Sequence, residues 1–213
     1  MGRHSVDYHR KTLGIGSPDG GRGVDPDTGV ELSPALRYYS SQGETPLVWG
    51  GSGAEALGLE GQVLPAQYEA LYAEGGAVDP TTGARLVATQ RPGMEIVVSA
   101  QKSLAELGVI GRADDMHAIL SAETDATLAY LDAVTRAAGG RRGRAAVATP
   151  TAGMVYVRTR HATSRAGDPS PHDHVLVANV VEMADDRGGF KAPDTTVWRD
   201  HLHAATMVGR MAS

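Results

Sequence analysis

R-H-A-T-S-R-A-G-D-P-S-P-H-D-H-V-L-V-A-N-V, residues 160 to 180, decides the fold, because it reads as a strand, a turn and a second strand carrying three imidazoles. Side chains on an extended strand alternate between faces, so His172 and His174 point the same way and Asp173 points oppositely. Gly167, Asp168, Pro169, Ser170 and Pro171 are turn residues lying between two β-rich runs, Met154 to Thr163 and His172 to Val181. A hairpin closed there returns His161 beside the pair. Three neutral imidazoles converging on one sheet face form a divalent-metal site that leaves the ion its full charge and open positions for water or substrate oxygens.

A lone strand histidine is more often a hydrogen-bonded structural residue than a ligand, and spacing motifs match by chance. The third histidine and its turn argue for ligation here. The chain also holds an internal control in His201-Leu202-His203. Val197, His201, Ala204 and Val208 have helical spacing, and residues two apart on a helix do not share a face, so this second pair reads as polar surface.

The other segments surround that hairpin. Leu13 to Ser33, rich in Gly, Pro and Asp, reads as a long loop with a turn at Asp25-Pro26-Asp27-Thr28-Gly29, and it is echoed by Asp79-Pro80-Thr81-Thr82-Gly83. Two copies are too few for a repeat architecture. A short helix is expected near Gly53, and another over Leu64 to Glu74 with Leu64, Tyr68, Leu71 and Tyr72 inward. Gly50-Gly51-Ser52-Gly53 lacks the Lys-Ser or Lys-Thr that completes a phosphate loop. Met94 to Ser99 predicts a strand and Gln101 to Leu107 a short helix. Asp114 to Ala138 is the clearest helix, with acidic residues at its start where they complement the dipole. A final helix runs from about Thr195 to the last residues. Strands and helices mixed in this order predict an α+β fold, an antiparallel sheet with helices packed on it.

The chain has 213 residues, 41% of them hydrophobic and 21% charged, which suits one globular domain with a substantial core. It holds no apolar run of membrane-spanning length, and Met1 to Thr12 lacks the apolar core of a signal peptide, so no membrane insertion and a cytoplasmic location are expected. With no cysteine, disulfides and thiolate metal sites are excluded. The net charge of −5 argues against indiscriminate nucleic-acid binding, but its distribution is uneven. Arg136, Arg141, Arg142, Arg144, Arg158, Arg160 and Arg165 follow one another with no acidic residue between them. Such a basic stripe beside a metal site suits a phosphodiester substrate, and equally a solvated loop at 139 to 144.

The histidine stretch resembles the third motif of the MobF group of conjugative relaxases, the TrwC-like and TraI-like proteins of the HUH-type endonucleases. Ser99-Ala100-Gln101-Lys102-Ser103 after its strand is similar to the family's F-D-L-T-F-S-A-P-K-S segment. Tyr38-Tyr39, Trp49 and Gly53-Ala54-Glu55-Ala56-Leu57-Gly58-Leu59 resemble its tyrosine pair followed by W-x-G-x-G-A-x-x-L-G-L. The pieces occur in the family's order along nearly the whole chain. This resemblance implies a palm-like sheet with the metal histidines His161, His172 and His174 on central strands. It implies nicking and rejoining of single-stranded DNA at a plasmid transfer origin through a 5′-phosphotyrosine. The implied partners are that DNA, relaxosome accessory proteins and a secretion-system coupling protein. Residues 1 to 213 are then one relaxase domain, expected to be truncated at its C-terminus because family domains run further and are often followed by a helicase.

A phenol titrates near pH 10, so a tyrosine nucleophile needs a base or a positive field, and the charge on the attacked phosphate needs a Lewis acid. Mg²⁺ or Mn²⁺ is the expected ion, with Zn²⁺ as an alternative. The family's first tyrosine pair would fall at Tyr8, here followed by His9, and the second at Tyr38-Tyr39. Tyr8 ranks first as nucleophile, then Tyr38, then Tyr39. Tyr68, Tyr72, Tyr130 and Tyr156 read as core or strand residues. Glu95 stands where the family has an aspartate near the histidines, and orienting an imidazole is its favoured role over accepting the tyrosine proton. Lys102, Arg141, Arg142, Arg144, Arg160 and Arg165 are the candidate DNA contacts. Two other readings stay open: a module that binds origin DNA without turnover, and an unrelated three-histidine metalloenzyme.

Overall fold

The histidine stretch folds as the centre of a four-stranded antiparallel sheet. In a computed structural model, the described residues are 45–138, 149–164, 168–184 and 189–213, with short pieces at 23–24, 29, 31–33, 36, 141–142 and 145–146. The sheet consists of β1 (Val48–Gly50), β2 (Gly93–Ser99), β3 (Tyr156–Thr163) and β4 (Pro169–Ala178), in the spatial order β1-β3-β4-β2. The two histidine-bearing strands are therefore the central ones. Among the described residues they are accompanied by the helices α1 (Ser52–Ala56), α2 (Pro65–Leu71), α3 (Lys102–Val109), α4 (Ala113–Val134) and α5 (Thr195–Ala212). No helix among the described residues is long and apolar enough to cross a membrane.

Strand alternation sorts β4 into two faces. Asp173, Val175 and Val177 are buried, while His172, His174 and Leu176 are only partly so. The buried face is covered by α3, α4 and α5: Ile96, Val98, Val175 and Val177 pack with Leu104, Met116, Leu120, Leu128, Leu131 and Trp198. Full burial of each such aliphatic side chain contributes roughly 1.5–3 kcal/mol, so this layer carries much of the stability. A second cluster, including Trp49, Tyr68, Leu71, Val155 and Val157, takes in the sheet's other face, with Leu176 packed against it. That cluster covers the Leu176 end of the face that carries the histidines.

Local chemistry moved several element boundaries. The helix expected to reach Ala138 stops at Val134, because Thr135 turns extended (ψ 133°) and its hydroxyl donates to the Leu131 carbonyl while accepting from the Trp198 indole. The Arg136 guanidinium donates to the carbonyls of Ala133 and Thr135, satisfying helix-end acceptors that another turn would otherwise take. Of the turn expected over residues 167–171, three residues are strand. Pro169, Ser170 and Pro171 belong to β4, where the register against β3 shifts between Pro169 and His172, leaving an extra residue. Prolines are tolerated at such a bulge because it releases donors from the ladder. Leu64, expected inward, is more than half exposed at the start of α2.

The glycine cluster before α1 has a packing explanation. Gly51 sits at φ +92°, and a Cβ there would meet the Met154 carbonyl oxygen at 2.2 Å. The Asp79 turn closes by its own carboxylate, which accepts from the amides of Thr81 and Thr82. Gly83, at φ +72°, follows that turn.

Candidate metal centre

In the β3–β4 ladder His172 pairs with His161, Asp173 with Arg160 and His174 with Thr159. This register puts all three imidazoles on one face, because directly paired residues share a side and residues two apart along a strand do as well. Ring centroids lie 5.4 Å apart for His161 and His172, 4.5 Å for His161 and His174, and 4.7 Å for His172 and His174. One ring nitrogen from each lies within 4.8 Å of the others.

Their partners set the tautomers. His172 Nδ1 is 2.5 Å from the Ser170 carbonyl oxygen, which can only accept, so Nδ1 carries the proton. His174 Nδ1 is 2.5 Å from Glu95 Oε1 and donates to it. In the neutral rings both Nε2 atoms are then lone-pair donors, and they lie 3.0 Å apart. Two facing lone pairs repel unless a cation stands between them. Metal–nitrogen bonds of about 2.0–2.1 Å at tetrahedral to octahedral angles place ligand nitrogens about 2.9–3.4 Å apart, so this pair has ligand spacing. Burial, followed by the neighbouring imidazoles of His174 and His172, holds the His161 pKa at about 4 against the opposing pull of Glu95. His161 is therefore neutral, the ligating form, at ordinary pH. A divalent ion fits these residues.

Glu95 reaches His174 from the edge strand. It pairs in register with Leu176, one same-face position along from His174, and its side chain leans diagonally to the imidazole. Behind the sheet lies a group that sequence reading passed over. Asp173 is completely buried, and its carboxylate accepts from Arg160 Nε (2.7 Å) and a terminal Arg160 nitrogen (2.8 Å), from Arg158 (2.6 Å) and from the Thr124 hydroxyl on α4 (2.6 Å). Burial raises its pKa, but these four bonds and two positive charges outweigh that and hold it below the usual carboxylate range. Strand alternation did signal this: an acid on an otherwise apolar face implies a cation on the paired strand. Arg158 also bonds Asp125 of α4.

The other expected site residues divide three ways. Arg160, expected to contact DNA, faces the helices instead, 9% exposed, with its guanidinium committed to Asp173 and the His117 carbonyl. The cause is the alternation that puts its neighbour His161 on the opposite face, with the other two imidazoles. Lys102 is exposed in the first turn of α3, just beyond Ser99, the register partner of His172. Arg141-Arg142 pair with Ala145-Ala146 as two-residue strands. Tyr8, Tyr38, Tyr39, Arg144 and Arg165 lie outside the described residues. Tyr68 and Tyr72 stack at 4.4 Å, and the Tyr72 hydroxyl donates to the Leu176 carbonyl; Tyr130 bonds His201, and Tyr156 is a strand residue. These four were expected in core or strand and are found there.

A three-histidine centre on the two central strands of an antiparallel sheet, beneath which helices pack, can be compared with known proteins. The model of the TrwC relaxase family matches residues 5–212. The chain belongs to the TrwC relaxase family. It is 33% identical over 156 residues to the multifunctional conjugation protein TraI of Escherichia coli, an alignment covering 68% of this chain and 8% of TraI. TraI of the K12 strain is 32% identical over the same length. Among solved structures, the relaxase TrwC in complex with oriT DNA in its metal-bound form superposes with a TM-score of 0.70 at 22% identity, covering 83% of this chain and 62% of that one. TrwC with a 27-mer DNA comprising the recognition hairpin and the cleavage site gives 0.68 at 23% identity, covering 82% and 60%. This relaxase-family chain thus spans under two thirds of the solved TrwC chain and a small fraction of TraI, and it shares the TrwC fold.

Proposed function

We propose that this chain is a metal-dependent relaxase that nicks and rejoins one DNA strand at a plasmid transfer origin through a covalent 5′-phosphotyrosine. The observation that carries the reading is the convergence of three imidazoles, two of which, His172 and His174, have Nδ1 tied back to Ser170 and Glu95, so that one ring nitrogen from each of the three can face an ion. His161, His172 and His174 would hold it, with Mg²⁺ or Mn²⁺ preferred and Zn²⁺ as the alternative. Bound there, a divalent ion supplies Lewis-acid stabilisation for charge building on phosphate oxygens.

The protein's own groups do the rest. Glu95 fixes the His174 ring and tautomer, the orienting role. The nucleophile is a tyrosine hydroxyl, and exchange of one phosphodiester for another conserves bond energy, so the nick can be resealed. Tyr68, Tyr72 and Tyr156 suit the role poorly, since burial drives all three phenols upward, away from phenolate. Tyr130 is bonded to His201 of α5, which leaves Tyr8, Tyr38 and Tyr39 as the candidates. Thr45, six residues after Tyr39 in the sequence, is tied to the histidine strand: its carbonyl accepts from the Thr159 hydroxyl and its hydroxyl accepts from the Arg160 amide, beside His161. Lys102, Arg141, Arg142, Arg144 and Arg165 would contact the DNA backbone.

The test is incubation with candidate transfer-origin oligonucleotides and Mg²⁺ or Mn²⁺, followed by denaturing electrophoresis. A covalent adduct is expected from the wild type and is lost on Tyr→Phe substitution at the nucleophile, taken through Tyr8, Tyr38 and Tyr39. Cleavage without adduct would make water the nucleophile and end the relaxase reading. Binding without cleavage would make the chain a non-catalytic origin-binding module.

A further inference from the structure

The metal ligands face one side of β3 and β4, and the bonds that hold those strands in register at that point lie on the other. We propose that Asp173, clamped by Arg160 and Thr124, is a positioning residue for the metal centre: it sets the spacing and register of the strands that present His161, His172 and His174. The inference rests on the metal-centre reading above.

Three observations converge on it. Asp173 stands between the two β4 ligands and Arg160 immediately precedes the β3 ligand, so their two-pronged ion pair spans the rung next to the His161–His172 rung. The ladder is irregular just beyond, where the register shifts between Pro169 and His172, so ladder pairing on that side guides His172 weakly. A one-residue slip would turn both histidines toward the helices. Finally, the carboxylate is anchored outside the sheet, by the Thr124 hydroxyl at 2.6 Å, while Arg160 also donates to the His117 carbonyl of the same helix at 3.1 Å. The rung is pinned to α4 at both ends. Stability alone does not require this arrangement, because a buried ion pair is often replaceable by apolar residues of similar volume at no cost in folding free energy. Its distinctive consequence is a defined placement of three ring nitrogens.

The decisive variant is the double substitution Arg160→Met with Asp173→Leu, which replaces the ion pair by apolar side chains and leaves Arg158 its bond to Asp125. Wild type, this variant and His172→Ala are titrated with Mn²⁺ and with Co²⁺, whose absorption bands report coordination geometry, and each metal-free protein is melted. The expected result is a Tm near that of wild type, Mn²⁺ affinity weakened about tenfold and an altered Co²⁺ spectrum, the low end of what supporting groups around a metal contribute. Unchanged affinity and spectrum would overturn the inference, whatever the Tm. Should the double variant not fold, Thr124→Val decides: it removes one anchor without touching the strand pair, and a lowered Tm with unchanged Mn²⁺ affinity counts against positioning. A wild type that binds neither ion, like His172→Ala, would instead overturn the metal-centre reading itself.

Discussion

Two H-x-H pairs stand in this chain, and they behave in opposite ways. His172 and His174 lie on a strand, with Nε2 atoms 3.0 Å apart and a third imidazole beside them. His201 and His203 lie on α5, where His201 bonds the Tyr130 hydroxyl at 2.9 Å and His203 is exposed. The same spacing gives convergence at a period of two and divergence at 3.6 residues per turn. Spacing alone carries no chemistry until the backbone period is known. The strand pair also gains what a helix cannot offer cheaply, a neighbouring strand 4.7–4.9 Å away that delivers further groups to the same face.

The contrast is most open to attack at the ligands themselves. His172→Ala or His174→Ala should abolish Mn²⁺ binding in calorimetry and nicking in gels, whereas His201→Ala combined with His203→Ala should leave both as in wild type. Equal losses in the two sets would mean that the strand pair has no special role. Next in size is the group behind the ligand. Glu95→Gln should weaken metal affinity about tenfold if the carboxylate orients His174, with nicking falling in parallel. A fall in nicking with affinity unchanged would make Glu95 a base instead.

Acid sharpens the comparison further. The His161 pKa is held at about 4 in the folded protein, against about 6.5 in the unfolded chain, so between these values the unfolded state binds more protons. Metal-free protein should therefore be progressively destabilised as pH falls from about 6.5 to about 4, and His161→Gln should flatten that slope in denaturant titrations. A variant with the wild-type slope would place the burden on another group. The smallest effect belongs to the helix pair: His201→Ala loses one partly buried hydrogen bond to Tyr130, costing about 0.5–1.5 kcal/mol, while His203→Ala should leave the melting temperature unchanged.

The sequence alone carried the period of each segment, and with it the shared face of His172 and His174, the hairpin that returns His161, the helical character of residues 195–212 and the divergence of the second pair. These follow from local rules that act over two to four residues. Only the tertiary structure decided what depends on register and on partners far along the chain. Glu95 meets His174 across 79 positions, by a diagonal step between paired strands. Arg160 looked like part of a basic stripe, yet register set it opposite a buried acid and turned it from a DNA contact into an internal tie. Likewise Val134 ends α4 because Thr135 bonds Trp198, 63 residues away. A side chain's face follows from its own strand, but its partner follows from how strands and helices are aligned, and that alignment is settled by the whole core at once.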